Sequence, residues 1–335
     1  MTEPLLTIDA LSIGFGAGDE PLRAVRHVGL DIAPGEIVGL VGESGSGKSL
    51  TCRSVMRLVP AGGRVLEGQV RFDGRDVLAL GDGDLRSLRA KEIGMIFQDP
   101  FSSLNPVYRI GDQLMETLRV NRGMGKAQAR EEAVALLERV GIPEPRRRLL
   151  AYPHELSGGM RQRVMIALAT ASEPRLLIAD EPTTALDVTT QAQILELLLE
   201  MRERLGMAIL LVSHDFGVIA QVCDRVAVMY GGHIVETGPV ETLYRDPQHP
   251  YTRALLESVP ELEAAARDRS EVPRAGIPGR PPELGEELPG CVFAPRCPYA
   301  RPECEAVSMA LVPVGTAQAS ACPIQPFRTT EAVTA

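Results

Sequence analysis

Short runs of apolar residues alternate with stretches of helical periodicity along the first 260 residues. The runs at 37–41, 176–179 and 208–212 (IVGLV, LLIA and AILLV) are compact and aliphatic, which indicates strands buried on both faces. Strands of this kind that alternate with helices are typical of an α/β fold with parallel strands.

Two longer segments carry apolar residues at steps of three and four, the spacing of a helix with one buried face. The first ends at Gly141 and the second at Gly206, and glycine is common just beyond a helix end. Their apolar positions are Ala133, Leu136, Leu137 and Val140, then Ile194, Leu197, Leu198, Met201 and Leu205. We interpret both sets as packing faces.

Polar side chains follow two of the predicted strands at the point where each one ends. Asp180 and Glu181 come after the second run, and Ser213 and His214 come after the third. In open α/β sheets, ligands bind outside the carboxyl ends of the strands. These residues and the glycine-rich turn after Val41 therefore predict one common site.

Composition excludes several classes of protein. With 44% apolar and 24% charged residues, the chain is not globally disordered. It has no run of about 18 apolar residues that would span a membrane, and its N-terminus lacks a signal-peptide pattern. The formal charge of −9 disfavours a protein that coats nucleic acid, so no nucleic-acid partner is expected.

The turn at residues 42–49 reads GESGSGKS and matches the pattern G-x-x-x-x-G-K-S/T. Between a strand and a helix, such a turn directs backbone N–H groups and a helix N-terminus at phosphate. Lys48 adds a charge for the β and γ phosphates, and the Ser49 hydroxyl can bind Mg²⁺. The rest of the cradle is assigned to Gly42, Ser44, Gly45 and Gly47. The sequence thus predicts a site for ATP and Mg²⁺.

The acidic pair after the second strand fits the same chemistry. Asp180, at the end of a buried strand, can hold Mg²⁺ directly or through water. Glu181 is placed one residue further on, where it can orient and deprotonate an attacking water. An acidic pair alone is weak evidence, but beside a phosphate loop it predicts ATP hydrolysis.

Residues 156–163, LSGGMRQR, resemble the LSGGQ signature of ATP-binding cassette (ABC) ATPases. The resemblance implies an α/β P-loop NTPase core with antiparallel β and α-helical subdomains. It also implies roles for Gln98, which would sense Mg²⁺ and couple to a membrane partner, and for His214, which would contact the γ-phosphate.

Two more positions follow from the same resemblance. Asp187, in the segment Ala185-Leu186-Asp187, looks like the D-loop aspartate. Phe15 stands where the family places a ring that stacks on adenine, although a plain core residue is the alternative.

The signature also predicts quaternary structure. Ser157 is a good N-cap for a helix that follows Gly159. In ABC proteins this helix end faces the γ-phosphate bound by another cassette, so one chain with one phosphate loop and one signature needs a second cassette, identical or paralogous. Met160 departs from the usual Gln, but the Ser-Gly-Gly core is intact.

Other segments resemble the ATPases of oligopeptide, dipeptide and nickel importers. These segments are LSGGMRQRV, the run Phe97–Pro106, the run Gln248–Arg253 and the cysteine-bearing tail. The resemblance implies an ATP-hydrolysing subunit of a peptide importer, peripheral at the cytoplasmic face of the membrane. Its partners would be two transmembrane permease subunits on separate chains and, indirectly, an extracytoplasmic solute-binding protein. The alternatives are an importer for nickel or another solute, a soluble non-transport ABC ATPase, and an iron–sulfur redox protein regulated by ATP.

Four of the six cysteines are clustered near the C-terminus. They are Cys291, Cys297, Cys304 and Cys322. Their spacing lacks the tight pairs of structural zinc sites, whereas iron–sulfur clusters tolerate wider spacing. The importer resemblance implies a [4Fe–4S] cluster, and zinc or no metal are the alternatives. Cys52 and Cys223 are expected to be buried as small apolar residues.

The composition changes after about residue 259, and residues 273–290 are rich in proline and glycine, as in a linker. We therefore expect a nucleotide-binding domain over 1–259, with its helical subdomain at roughly 99–170. Residues 260–335 would form a linker and a small cysteine-containing segment.

Overall fold

The computed structural model describes residues 3–16, 18, 21–99, 103–184, 186–258 and 277–327. The chain divides into two compact units. The first comprises Met1–Leu5, Ala33–Glu36 and Ala79–Val212, and the second comprises Leu6–Ile32, Ile37–Leu78 and Ser213–Ala335.

In chain order the strands are β1 (Leu6–Phe15), β2 (Leu22–Ile32), β3 (Ile37–Val41), β4 (Gly63–Phe72), β5 (Arg75–Asp76), β6 (Ile93–Ile96), β7 (Leu176–Asp180), β8 (Ala208–Ser213), β9 (Arg225–Tyr230), β10 (His233–Pro239), β11 (Val312–Gly315) and β12 (Gln318–Ser320). The helices are α1 (Lys48–Val55), α2 (Asp82–Lys91), α3 (Ile110–Arg122), α4 (Lys126–Arg139), α5 (Pro145–Arg148), α6 (Gly158–Thr170), α7 (Val188–Leu205), α8 (Phe216–Val222), α9 (Val240–Arg245) and α10 (Pro250–Glu257). The three strands predicted from apolar runs are confirmed as β3, β7 and β8.

Parallel strands β6, β7 and β8 run side by side in the first unit. Every residue of β7 and β8 is buried, as their uninterrupted apolar sequences predict. Helices α3–α7 also belong to the first unit, within the segment Ala79–Val212. The segments that were predicted to end at Gly141 and Gly206 form α4 and α7, and Gly206 has the left-handed conformation at the end of α7.

The second unit holds antiparallel strands in the order β2-β1-β4-β5. Its other strands follow the order β11-β12-β10-β9-β3, in which only β9 and β3 are parallel. Buried and exposed positions alternate over the second half of β2, the pattern of a strand with one packed face.

The described part of the tail, residues 277–327, is mostly irregular. Its β12 pairs antiparallel with β10, and a buried carboxylate reinforces this contact: Gln318 Nε2 donates to Glu236 Oε1 at 2.9 Å. Burial raises the pKa of Glu236, so its hydrogen bonds are needed to keep it in the core. Residues 277–290 contain no helix or strand, and residues 273–276 of the predicted linker lie outside the described residues, so the linker stays a prediction.

None of the helices in the described ranges is long and apolar enough to cross a membrane.

Candidate nucleotide site and cysteine pocket

The phosphate loop runs from the end of β3 to the start of α1 and lies in the second unit. Two positions in the loop require glycine because neighbouring backbone atoms lie too close to leave room for a side chain. A Cβ at Gly42 would lie 2.0 Å from the Met229 carbonyl oxygen, and Gly47 has a φ of +105° with Ala24 O only 3.0 Å from its Cβ position. The backbone can therefore wrap closely only because these residues lack side chains.

Lys48 begins α1 and is buried, with its ammonium turned back over the loop. Its Nζ donates to Gly42 O at 2.7 Å and to Glu43 O at 2.9 Å. Ser49, next on the helix, is half-buried, whereas Ser44 and Gly45 are exposed on the loop. A buried ammonium at a helix N-terminus gives this loop the positive charge that an anion-binding loop needs.

The acidic pair lies in the first unit, at the carboxyl end of β7. Asp180 is fully buried, and Glu181 follows with a left-handed φ of +50°. Glu181 Oε2 accepts from Gln98 Nε2 at 2.9 Å and from Thr184 Oγ1 at 2.9 Å. The structure therefore brings together Gln98, Asp180 and Glu181, as expected when adjacent parallel strands β6 and β7 end at one edge.

The signature segment folds as predicted at its helix end. Ser157 caps α6, since its Oγ accepts from Met160 N at 3.3 Å. Asp187 caps α7, because Oδ1 accepts from Thr190 N at 2.9 Å. Gly159 lies in the first turn of α6 and is half-buried. Ser157 is exposed, so α6 presents an open, capped N-terminus.

His214 and Phe15 belong to the second unit. His214 is exposed just after β8, and Phe15 is half-buried at the end of β1, where its ring approaches the Cβ position of Gly63 to 2.8 Å. Neither the stacking role of Phe15 nor the phosphate contact of His214 is tested by this geometry, and both stay predictions. Ala185 of the D-loop segment and residues 100–102 of the run Phe97–Pro106 lie outside the described residues.

The four tail cysteines line one pocket, together with His249 and Phe293. All four are free thiols. Burial raises the pKa of Cys291 and Cys322 and raises that of Cys297 to about 11. Repulsion from the neighbouring thiols raises the pKa of each of these three cysteines further.

Among the described residues, however, no three His, Cys, Asp or Glu side chains are gathered closely enough to hold a metal ion. The expected metal site at Cys291, Cys297, Cys304 and Cys322 is therefore not supported as a preformed ligand group. Thiols that burial keeps protonated gain no energy from converging on one point without a cation. Cys52 and Cys223 are buried, as predicted.

Several residues around these sites carry no sequence signal strong enough to find them. Thr184 adds a second donor to Glu181, and Tyr251 and Arg296 both contact Glu43 in the phosphate loop. Tyr251 and Arg296 both lie inside segments singled out by resemblance, the run Gln248–Arg253 and the cysteine-bearing tail, but nothing in either segment pointed to the phosphate loop. Contacts across more than 200 positions do not show in periodicity or spacing.

A phosphate loop, an acidic strand end and a capped signature helix define an ATP-binding cassette. Comparison with known proteins agrees: residues 25–184 match the model of the ABC transporter family, and residues 235–304 match that of the oligopeptide/dipeptide transporter C-terminal region.

Two curated relatives span almost the whole chain. The chain is 46% identical to the dipeptide transport ATP-binding protein DppD of Escherichia coli over 95% of its own length and 96% of the relative. It is 49% identical to a putative peptide import ATP-binding protein of Brucella abortus over 90% of each. Among solved structures, the ATP-binding cassette MJ0796 in a dimeric post-hydrolysis state bound to ADP and Pi is 30% identical, with a TM-score of 0.63 over 70% of this chain and 98% of that one.

The chain belongs to the ABC transporter family, as an ATP-hydrolysing cassette that uses ATP and Mg²⁺.

Proposed function

We propose that this chain is the ATP-hydrolysing subunit of a peptide importer, with a nucleotide-binding domain over 1–259 and the tail at 260–335. The observation that carries the proposal is an intact set of ATPase groups joined to a C-terminal region of the oligopeptide/dipeptide type. The end-to-end similarity to dipeptide and peptide import proteins supports peptides as the solute.

In this proposal the loop at 42–49 wraps the phosphates, and Lys48 neutralises charge on the β and γ phosphates. Ser49, Gln98 and Asp180 would hold Mg²⁺; their hydroxyl, amide and carboxylate oxygens are the donors that this hard cation prefers. When bound, Mg²⁺ supplies positive charge against the phosphate oxygens.

Glu181 would take the proton from the attacking water. Its Oε2 is held by the amide of Gln98 and the hydroxyl of Thr184, so one carboxylate oxygen is fixed in place. Fixing the base in this way lowers the entropic cost of reaching the reactive geometry. His214 would contact the γ-phosphate, and Phe15 would stack on adenine.

Two cassettes are needed for a complete site. Ser157 and Gly159 at the open end of α6 would face the γ-phosphate bound by a second cassette, identical or paralogous, and Asp187 would lie at the same interface. The dimeric state of the similar cassette MJ0796 supports this arrangement. ATP binding would close the pair and hydrolysis would reopen it.

Two transmembrane permease subunits would receive this motion at the cytoplasmic face of the membrane, and a solute-binding protein would deliver peptide on the other side. The test is affinity purification of the full chain from solubilised membranes of its own cell. We expect two permeases and a cassette partner to copurify, and peptide-loaded binding protein to stimulate ATP hydrolysis. Stimulation by nickel alone, or recovery of the chain without permeases, would contradict the proposal.

We further propose that the cysteine pocket holds a [4Fe–4S] cluster. Four thiols that line one pocket match the cluster's four-thiolate donor set, and their spacing along the chain lacks the tight pairs typical of structural zinc sites.

Protein purified without oxygen is expected to be brown, with iron and acid-labile sulfide in about equal amounts. Cys304→Ser should lose most of the visible absorbance because one of four ligands is gone, and Cys52→Ser, which changes a buried thiol outside the pocket, should keep it. A colourless protein with bound zinc, or with no metal, would refute the cluster.

A further inference from the structure

Glu43, the second residue of the phosphate loop, is held at each of its polar groups. Its carboxylate accepts two bonds from Arg296 in the tail, Nη1–Oε2 at 2.7 Å and Nη2–Oε1 at 3.1 Å. Its N–H donates to Tyr251 Oη at 2.8 Å. Its carbonyl accepts from Ser46 N at 3.2 Å and from Lys48 Nζ at 2.9 Å. The start of the loop is therefore fixed from within the loop by Ser46 and Lys48 and from outside it by Tyr251 and Arg296.

Arg296 is built into its place. Its side chain is only 5% exposed, and it donates to the Pro278 carbonyl at 2.7 Å, the Ile277 carbonyl at 3.1 Å and Tyr230 Oη at 3.1 Å. Burial opposes its charge, but the hydrogen bonds to Glu43 and Tyr230 outweigh that effect and raise the pKa of Arg296. A bidentate, mostly buried pair of this kind is directional and poorly screened by salt.

The turn that presents Arg296 is packed against the same aromatic residues that reach the loop. Phe293 lies 5.3 Å from Tyr230 and 5.4 Å from Tyr251 between ring centroids. The turn at Ala294–Arg296 is closed by a bond from Arg296 N to Phe293 O at 3.0 Å. Since Cys297 follows directly, the arginine and the cysteine pocket share one turn of chain.

We propose that Arg296 is a positioning residue for the phosphate loop: it orders Glu43, so that the loop is already shaped for phosphate before nucleotide binds. The inference rests on the proposed role of residues 42–49 as the phosphate cradle. A pre-ordered loop loses less conformational entropy on binding, so the tail contact increases ATP affinity without touching ATP.

The test compares ATP affinity in the full chain for wild type, Arg296→Gln, Glu43→Gln and the double variant. The matched control is Arg280→Gln, which removes a tail arginine whose partner, Glu283, is exposed. We expect Arg296→Gln and Glu43→Gln each to weaken MgATP binding about tenfold, within the range typical of coupled sites. The double variant should be no weaker than either single variant, because the two changes break one interaction. Arg280→Gln should bind as wild type does.

Two further measurements separate positioning from simple stabilisation. The unfolding temperature is recorded on the same samples, and a purely structural contact would lower it without changing the dissociation constant of the folded protein. Coupling is also reciprocal, so MgATP should slow hydrogen exchange at the amides of Ala294, Arg296 and Cys297 in wild type and not in Arg296→Gln. If Arg296→Gln fails to fold, the double variant, which leaves no unpaired buried charge, takes its place.

Undiminished ATP affinity in folded Arg296→Gln or in the double variant would overturn the inference, as would losses that simply add in the double variant. Failure of the wild-type chain to bind ATP would instead contradict the proposed function.

Discussion

Glu181→Gln is expected to lower the rate of ATP hydrolysis at least a hundredfold while ATP still binds. A general base accounts for about 10²–10⁴ in rate, and the amide cannot take a proton from water. Glutamine keeps an oxygen that can accept from Gln98 and Thr184, so the local hydrogen bonds survive. The measurement is phosphate release by the assembled complex beside an ATP-binding titration.

The control for this prediction is Glu196→Gln, which changes an exposed carboxylate on α7 in the same unit. It should hydrolyse ATP as wild type does. Wild-type turnover in Glu181→Gln would remove Glu181 from its proposed role as base and leave the phosphate loop assignment intact.

The second large effect is expected from Lys48→Ala, which should weaken ATP binding at least tenfold. Hydrogen bonds to a charged group contribute about 1.5–3 kcal/mol, and this ammonium is the charged side chain aimed back over the loop. Its removal also takes one hydrogen-bond donor away from each of the Gly42 and Glu43 carbonyls, which loosens the loop. Titration with MgATP at constant salt measures the loss.

Lys91→Ala, which removes an exposed ammonium at the end of α2, is the matched control and should leave affinity unchanged. Equal affinity in wild type and Lys48→Ala would show that the phosphate cradle lies elsewhere. Lys48→Ala tests binding and Glu181→Gln tests chemistry, so together they separate two parts of the proposed mechanism.

The tail has two proposed roles with separate tests. The cysteines would hold a cluster, and Arg296 would order the phosphate loop. Phe293 and Cys297 lie in one turn with Arg296, so we expect removal of a bound cluster to disorder that turn and loosen the phosphate loop. Hydrogen exchange at residues 294–297 can be compared between protein with bound iron and protein without it, which measures how far the cluster orders this turn.

The sequence by itself determined that this protein is an ATPase, because the strands and motifs of that class can be recognised in it. Apolar runs predict β3, β7 and β8 because strands buried on both faces consist mostly of apolar residues. The phosphate loop after β3 is recognisable because its glycines and lysine occur at a fixed spacing. The start of α6 at Ser157 and the end of α7 at Gly206 could also be predicted from the sequence. A helix cap depends on one residue, either a side chain that accepts a hydrogen bond or a glycine that has no side chain.

Only the tertiary structure decided what surrounds these groups. The bond from Gln98 to Glu181 spans 83 positions, and that from Arg296 to Glu43 spans 253. Such contacts depend on how elements distant in sequence pack together, and this packing produces no periodic pattern of residues in the sequence. The four tail cysteines differ from these contacts, because their clustering along the sequence did predict a site, one for a metal. Their spacing alone, however, does not determine whether folding brings the four sulfur atoms around one centre.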